Sequence, residues 1–134
     1  AEVAFTPQSA TALVQALGSL REFESMVGLL RDPPPGLVPD VFMYTRAMHA
    51  LAMDPFYRKI GIAPGTNYVI PATAPTASGP VAALALADET EALGMRHSIY
   101  TINTVLLACA QLRDYSQAVR RFQAYCDKGG EVDV

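Results

Sequence analysis

The sequence predicts an all-α fold, a right-handed α-solenoid of antiparallel two-helix repeats. Three observations lead there. Alanine and leucine dominate a chain that is 51% hydrophobic, a composition that favours helix. Apolar residues recur at helical spacing in several stretches bounded by Gly, Pro, Ser, Thr or Asp. One helix pair near the start is repeated near the end, and such self-similarity marks helical pairs that bury their faces against their neighbours.

The C-terminal stretch, residues 98–134, carries the clearest pair. Ile102, Val105, Leu106, Cys109 and Leu112 fall on one helix face. Leu112-Arg113-Asp114 interrupts the pattern for a short turn, and Ala118, Val119, Phe122, Tyr125 and Cys126 resume it. Asp114 with Gln117 offers a capping box to start the second helix, and Lys128-Gly129-Gly130 ends it with glycine at the left-handed cap.

At the other end, residues 8–17 form the first helix, with Ala10, Leu13, Val14 and Leu17 inward and Thr6-Pro7 as its start. Residues 18–22 turn. Residues 23–31 form the second helix, with Phe23, Met26, Val27 and Leu30 inward, and the run Asp32-Pro33-Pro34-Pro35-Gly36 stops it. The internal match lies here: Leu20-Arg21-Glu22-Phe23 agrees in type with Leu112-Arg113-Asp114-Tyr115.

Asp40 caps a third helix that runs to about Met53, with Phe42, Tyr44, Ala47, Met48 and Leu51 as its apolar positions. Its partner is delayed by residues 54–80, which are rich in proline, glycine, serine and threonine and longer than ordinary helix–helix connections. Phe56, Tyr57, Ile60 and Ile62 suggest that the start of this insertion packs down, 66–70 reads as extended, and 73–79 as flexible. Helix resumes over 81–93, with Ala83, Leu84, Ala87 and Leu93 packing, and Gly94 ends it. The expected repeats are 7–40, 41–98 with the insertion 54–80, and 99–134, all in one domain.

Charge and chemistry exclude several classes. Thirteen acids against ten bases leave a net charge of −3, unlike the basic balance of most free-standing nucleic-acid binders. Cys109 and Cys126 both lie on apolar faces and show neither disulfide nor metal spacing. His49 and His97 have no cysteine or paired carboxylate at ligand spacing. The glycines of the insertion form no phosphate-binding motif. Asp88, Glu89 and Glu91 form an acidic helix segment with no recognisable partner. An enzyme, a metal and a cofactor are therefore not expected. No stretch reaches membrane-spanning length, since Asp88 and Glu89 cut off the apolar run 81–87. The chain starts at Ala1 without methionine, so either a leader has been removed or it is an excised portion.

The last unit resembles the pentatricopeptide repeat family, whose unit opens near V-T-Y-N-x-L-I-x-A-C, continues to E-A-L-x-L-F-x-x-M and closes near G-x-x-P-D. Here stand Tyr100-Thr101-Ile102-Asn103-Thr104-Val105-Leu106, Ala108-Cys109, Ala118-Val119, Phe122, Lys128-Gly129 and Asp133-Val134. The second unit opens with Pro39-Asp40-Val41-Phe42-Met43-Tyr44-Thr45 and closes with Ala83-Leu84 and Gly94. The first keeps the middle and the closing Leu37-Val38-Pro39-Asp40. Tetratricopeptide repeats are the nearest rival, but Leu112 and Tyr115 give only a faint echo of their signature.

The resemblance implies single-stranded RNA binding in an organelle, a mitochondrion or alternatively a chloroplast. Two side chains per repeat would read one base: Thr11 with Asp40, Thr45 with Ser98, and Asn103 with Asp133. Threonine with aspartate leans to guanine and asparagine with aspartate to uracil, while Thr45 with Ser98 departs from the usual pairs. Short polar side chains can hydrogen-bond base edges while neighbours sandwich the ring. Arg120, Arg121, Arg58 and Lys59 are the phosphate-contact candidates. The plainer reading stands beside each of these. Asp40 and Ser98 would be N-caps, Asp133 a cap for a following helix, Thr11, Thr45 and Asn103 solvated surface groups, and Arg120 and Arg121 a solvated outer face. Arg21 and Arg113 read as local charge pairs in equivalent turns. Few bases are available for the phosphate contacts that supply most non-specific affinity. The expected role is therefore a module of a larger organellar ribonucleoprotein, such as a ribosome or RNA-processing assembly, its partners RNA and/or protein subunits. A protein–protein interaction scaffold without independent RNA recognition is the alternative.

Overall fold

The computed structural model describes residues 6–54, 61–62, 69–70 and 79–129. Among the described residues, six helices make the fold: α1 (Pro7–Ser19), α2 (Phe23–Arg31), α3 (Val41–Ala52), α4 (Gly79–Ala92), α5 (Ile99–Gln111) and α6 (Tyr115–Asp127). Between α3 and α4, β1 (Gly61–Ile62) pairs antiparallel with β2 (Val69–Ile70), Gly61 opposite Ile70 and Ile62 opposite Val69. Thus Ile62, Val69 and Ile70 belong to a short ladder, while Phe56, Tyr57 and Ile60 lie outside the described residues. No helix among the described residues is long and apolar enough to cross a membrane.

The helix starts follow from short polar side chains that satisfy otherwise unpaired first-turn amides. Asp40 Oδ1 accepts from Met43 N at 2.9 Å at the head of α3. Thr6 and Ser98 each form a reciprocal capping box, with Ser9 and Thr101, so hydroxyls stand where glutamate or glutamine is usual. At α6, Asp114 accepts from Gln117 N at 3.0 Å, and the Gln117 side chain donates back to the carboxylate rather than to the cap backbone. These bonds favour the charged form and hold the Asp114 carboxyl below its ordinary pKa.

The repeated Leu-Arg-acid sequence makes a repeated turn. Leu20, Arg21 and Glu22 donate to the carbonyls of Ala16, Gly18 and Leu17, and Leu112, Arg113 and Asp114 donate to those of Ala108, Ala110 and Cys109, with the same offsets. Arg21 and Arg113 both take the left-handed conformation, φ 60° and 55°, that usually selects glycine. The end of α3 begins the same turn, Met53 to His49 and Asp54 to Leu51. The next residue is Pro55, which has no amide to give. The third bond of the pattern therefore cannot form there. Gly79 lies against the Leu51 and Asp54 carbonyls, where a side chain would collide, so the start of α4 sits beside the end of α3. Helix α4 therefore starts two residues before the expected 81. Pro80 sits in its first turn, where its missing amide costs nothing.

Helix α3 is central, packed by α1, α2, α4 and α5, while α6 packs on α5. Met43, Tyr44, Thr45, Ala47, Met48, Leu51 and Ala52 are consequently all buried on α3, whereas α6 buries only Tyr125. Leu13, Phe42, Leu93, Val119 and Phe122, expected inward, are exposed: the other described helices leave their faces at least partly uncovered. Cys109 is buried and Cys126 half-buried, both as free thiols. Burial pushes the Cys109 thiol above its ordinary pKa, which suppresses its reactivity.

Candidate nucleic-acid interface

Thr11, Thr45 and Asn103 stand at the same step beyond their caps Thr6, Asp40 and Ser98. Their surroundings differ. Thr11 is half-buried and Asn103 is exposed. Thr45 is 1% exposed, its hydroxyl donating to Val41 O at 2.7 Å and meeting Thr101 Oγ1 at 2.9 Å. The expectation of a solvated Thr45 is therefore corrected. It sits between α3 and α5, whereas the matching face of α5 meets no further helix among the described residues, which leaves Asn103 in water.

The structure does bring Thr45 and Ser98 near each other. The Thr101 hydroxyl lies between them, 3.0 Å from Ser98 Oγ. Ser98 Oγ also accepts from Thr101 N at 3.1 Å, so both members of this pair are engaged in capping and helix contact. Asp40 is likewise engaged at its cap. Asp133, Arg58 and Lys59 lie outside the described residues.

Of the phosphate candidates on α6, Arg120 is exposed. Arg121 is not a solvated cation. Its Nε donates to Gln117 Oε1 at 2.8 Å, and its Nη1 and Nη2 reach the Asp88 carboxylate at 3.0 and 3.4 Å. The acidic segment of α4, expected to lack partners, is paired throughout. Asp88 pairs with Arg121, Glu89 with Arg31 at 2.7 Å, and Glu91 with Lys128 at 3.6 Å. Arg21 pairs across the helix turns with Asp54 at 2.8 Å rather than with its neighbour Glu22.

Sequence reasoning missed a different surface. Phe42, Arg46, His49 and Met53 recur at helical spacing along α3 and are all exposed. Phe42 is thus one apolar position of α3 that faces water. From α5, Tyr100 joins this stripe. The Arg46 guanidinium lies 5.5 Å over the Tyr100 ring, and Arg46 Nη1 donates to Tyr100 Oη at 3.3 Å. The signal was legible as matching positions, since Phe42 and Tyr100 stand at the same step beyond Asp40 and Ser98. Such a surface can stack a planar ring and pair an anion beside it.

His97 Nε2 lies 2.7 Å from Thr90 Oγ1, which also lies 2.7 Å from Ala87 O. With the hydroxyl proton given to Ala87 O, the Nε2–H tautomer of His97 donates to Thr90. Burial first, and then Lys128 and Arg121, lowers the His97 pKa against the pull of Glu91. Among the described residues, no three His, Cys, Asp or Glu side chains gather as a metal site. No family model matches the chain, and no curated protein matches it.

Proposed function

We propose that this chain is a pentatricopeptide-type module of an organellar ribonucleoprotein. It would be a right-handed α-solenoid that binds single-stranded RNA while held in a larger assembly, a mitochondrial ribosome or an RNA-processing complex. The pairs α1/α2, α3/α4 and α5/α6 are its units. Corresponding residues in corresponding contacts support the solenoid: α3 packs between α1 and α5, the turns after α1 and α5 share one bonding pattern, and Arg31 and Arg121 clamp α4 from either side.

The RNA reading rests most on the Arg46 guanidinium stacked over Tyr100, with Phe42 exposed one helix away. Bases stack on the Phe42 ring and on the Arg46–Tyr100 stack, and the Arg46 N–H groups not given to Tyr100 reach a phosphate beside them. Asn103 adds a base-edge contact on the same helix as Tyr100. Little sequence discrimination is expected, because the Thr45 hydroxyl is spent inside. The few cations limit affinity in isolation, and neighbours in the assembly supply the rest.

Titration of short single-stranded RNAs at low and raised salt tests this reading. Phe42→Ala and Tyr100→Ala should each weaken binding by about tenfold, within the range for one lost stack. Exchange of Asn103 for serine should alter uridine preference. A protein scaffold is the second reading, favoured by Tyr115, Val119 and Phe122 exposed together on α6. Absence of RNA binding at low salt, with stable capture of a protein subunit through α6, would put that reading first.

A further inference from the structure

Four of the ten lysines and arginines converge on one cavity. Arg96, Arg120, Arg121 and Lys128 line a space of about 340 Å³ between α4, the α4–α5 connection, α5 and α6. Asp88 and Glu91 reach the same space, so the lining carries two more positive charges than negative in a chain of net charge −3. The ion pairs assign the surplus. Arg121 is matched by Asp88 and Lys128 by Glu91. Arg96 spends one N–H on Gly129 O at 2.9 Å, a neutral acceptor, and Arg120 meets no carboxylate within ion-pair distance among the described residues. Met95, Ile102 and Ala124 give the cavity an apolar wall.

We propose that this cavity binds a small phosphate monoester bearing an apolar ring. The phosphate is held by Arg96 and Arg120 and the ring lies against Met95 and Ile102. A monoester is close to a dianion at neutral pH, which matches the two unmatched guanidiniums. Guanidinium forks suit its oxygens. The volume is that of a small-molecule site, and its combination of apolar wall and few convergent polar groups is the usual one. Both sites use α5, but through different residues: the cavity takes Ile102 and Val105 and the stacking stripe takes Tyr100, and none of the cavity's charged groups belongs to the stripe. The two sites therefore stand or fall separately.

Phenyl phosphate, inorganic phosphate and phenol, each titrated into the full chain and followed by amide NMR shifts, form the test. Phenyl phosphate should bind with a Kd below about 1 mM and at least about tenfold more tightly than either fragment. The shifts should centre on α4, α6 and the α4–α5 connection. Arg96→Gln and Arg120→Gln should each weaken binding at least about fivefold without lowering the melting temperature much, as exposed charges contribute little to stability. Asp88→Asn removes a competing carboxylate, frees Arg121 and should tighten binding, an outcome that damage to the fold cannot mimic. Failure to saturate by about 10 mM, or equal affinity for inorganic phosphate, would overturn the proposal. So would unchanged affinity in the folded arginine variants, or weakened affinity in a folded Asp88→Asn protein.

Discussion

The hydroxyls of Thr45 and Thr101 meet at 2.9 Å between α3 and α5, with both residues buried. Thr45 Oγ1 donates its proton to Val41 O at 2.7 Å, so Thr101 supplies the proton shared between the two threonines. Thr45→Val keeps the shape and removes that acceptor. It should cost about 1 kcal/mol, the net worth of one buried hydrogen bond. Thr101→Val also breaks the capping box with Ser98 and should cost more. Because the hydroxyls share one bond, the double variant should lose less than the sum of the singles. Urea denaturation of the four proteins measures this. Strict additivity would mean that the contact carries no energy. Under the RNA-binding proposal, Thr45→Val should leave base preference unchanged, because the hydroxyl is buried.

Two arginines bridge successive helix pairs with different burial. Arg31 holds Glu89 through three N–H···O contacts of 2.7, 3.1 and 3.2 Å, with side chains 24% and 27% exposed. Arg21 holds Asp54 at 2.8 Å, but 64% of its side chain is exposed. Removing one member of the shielded pair leaves a half-buried carboxylate beside Tyr44, whose hydroxyl already has a raised pKa, from burial first and then from Glu89. Arg31→Met should therefore cost about 2 kcal/mol and Arg21→Met under about 0.5 kcal/mol. Chemical denaturation gives both. Equal losses would show that solvent screening does not separate the two pairs.

Local chemistry made the helices legible. Asp40, Ser98 and Asp114 cap as their residue types suggest, and the Leu-Arg-acid match foretold two identical turns. Proline misled at the start of α4, because Pro80 reads as a breaker until its position in the first turn is known. The site was less legible, for a different reason. Helical periodicity says which residues share a face but not what covers that face. Phe42 and Thr45 are both on α3, and only the placement of α5 decides that the aromatic ring is in water and the hydroxyl is not. The partners of Asp88, Glu89 and Glu91 were hidden in the same way. They come from α2 and α6, far away in sequence, and charge pairing across helices leaves no local pattern.

His97 links the fold to pH. Its folded pKa lies below the ordinary value of 6.5, so the unfolded chain takes up a proton that the folded chain resists. The resulting stability is fully present above pH 6.5 and is lost as pH falls toward the lowered folded value. Burial is the main cause, with Lys128 and Arg121 adding repulsion and Glu91 opposing it. Denaturation midpoints across this window should fall with acid in the parent. The fall should be shallower in His97→Gln, which keeps a donor toward Thr90 but does not titrate. An identical pH slope in the two proteins would assign the acid sensitivity to the carboxylates instead.

Gly18 and Gly28 make opposite predictions from one substitution. A Cβ on Gly18, near the end of α1, would come 2.6 Å from the Ala50 Cβ of α3 and 3.4 Å from the Met26 sulfur. The two helices approach closely there because neither residue has more than a methyl group to interpose. Gly18→Ala should force α1 away from α3 and cost about 1–3 kcal/mol, the range for overpacking. Gly28 is helical, exposed, and has nothing within 4 Å of an added Cβ. Gly28→Ala should therefore stabilise the protein by about 0.5–1 kcal/mol, through lost freedom in the unfolded chain. Melting temperatures separate the signs, down for Gly18→Ala and up for Gly28→Ala. A neutral Gly18→Ala would mean that α1 and α3 pack less tightly than their small residues allow.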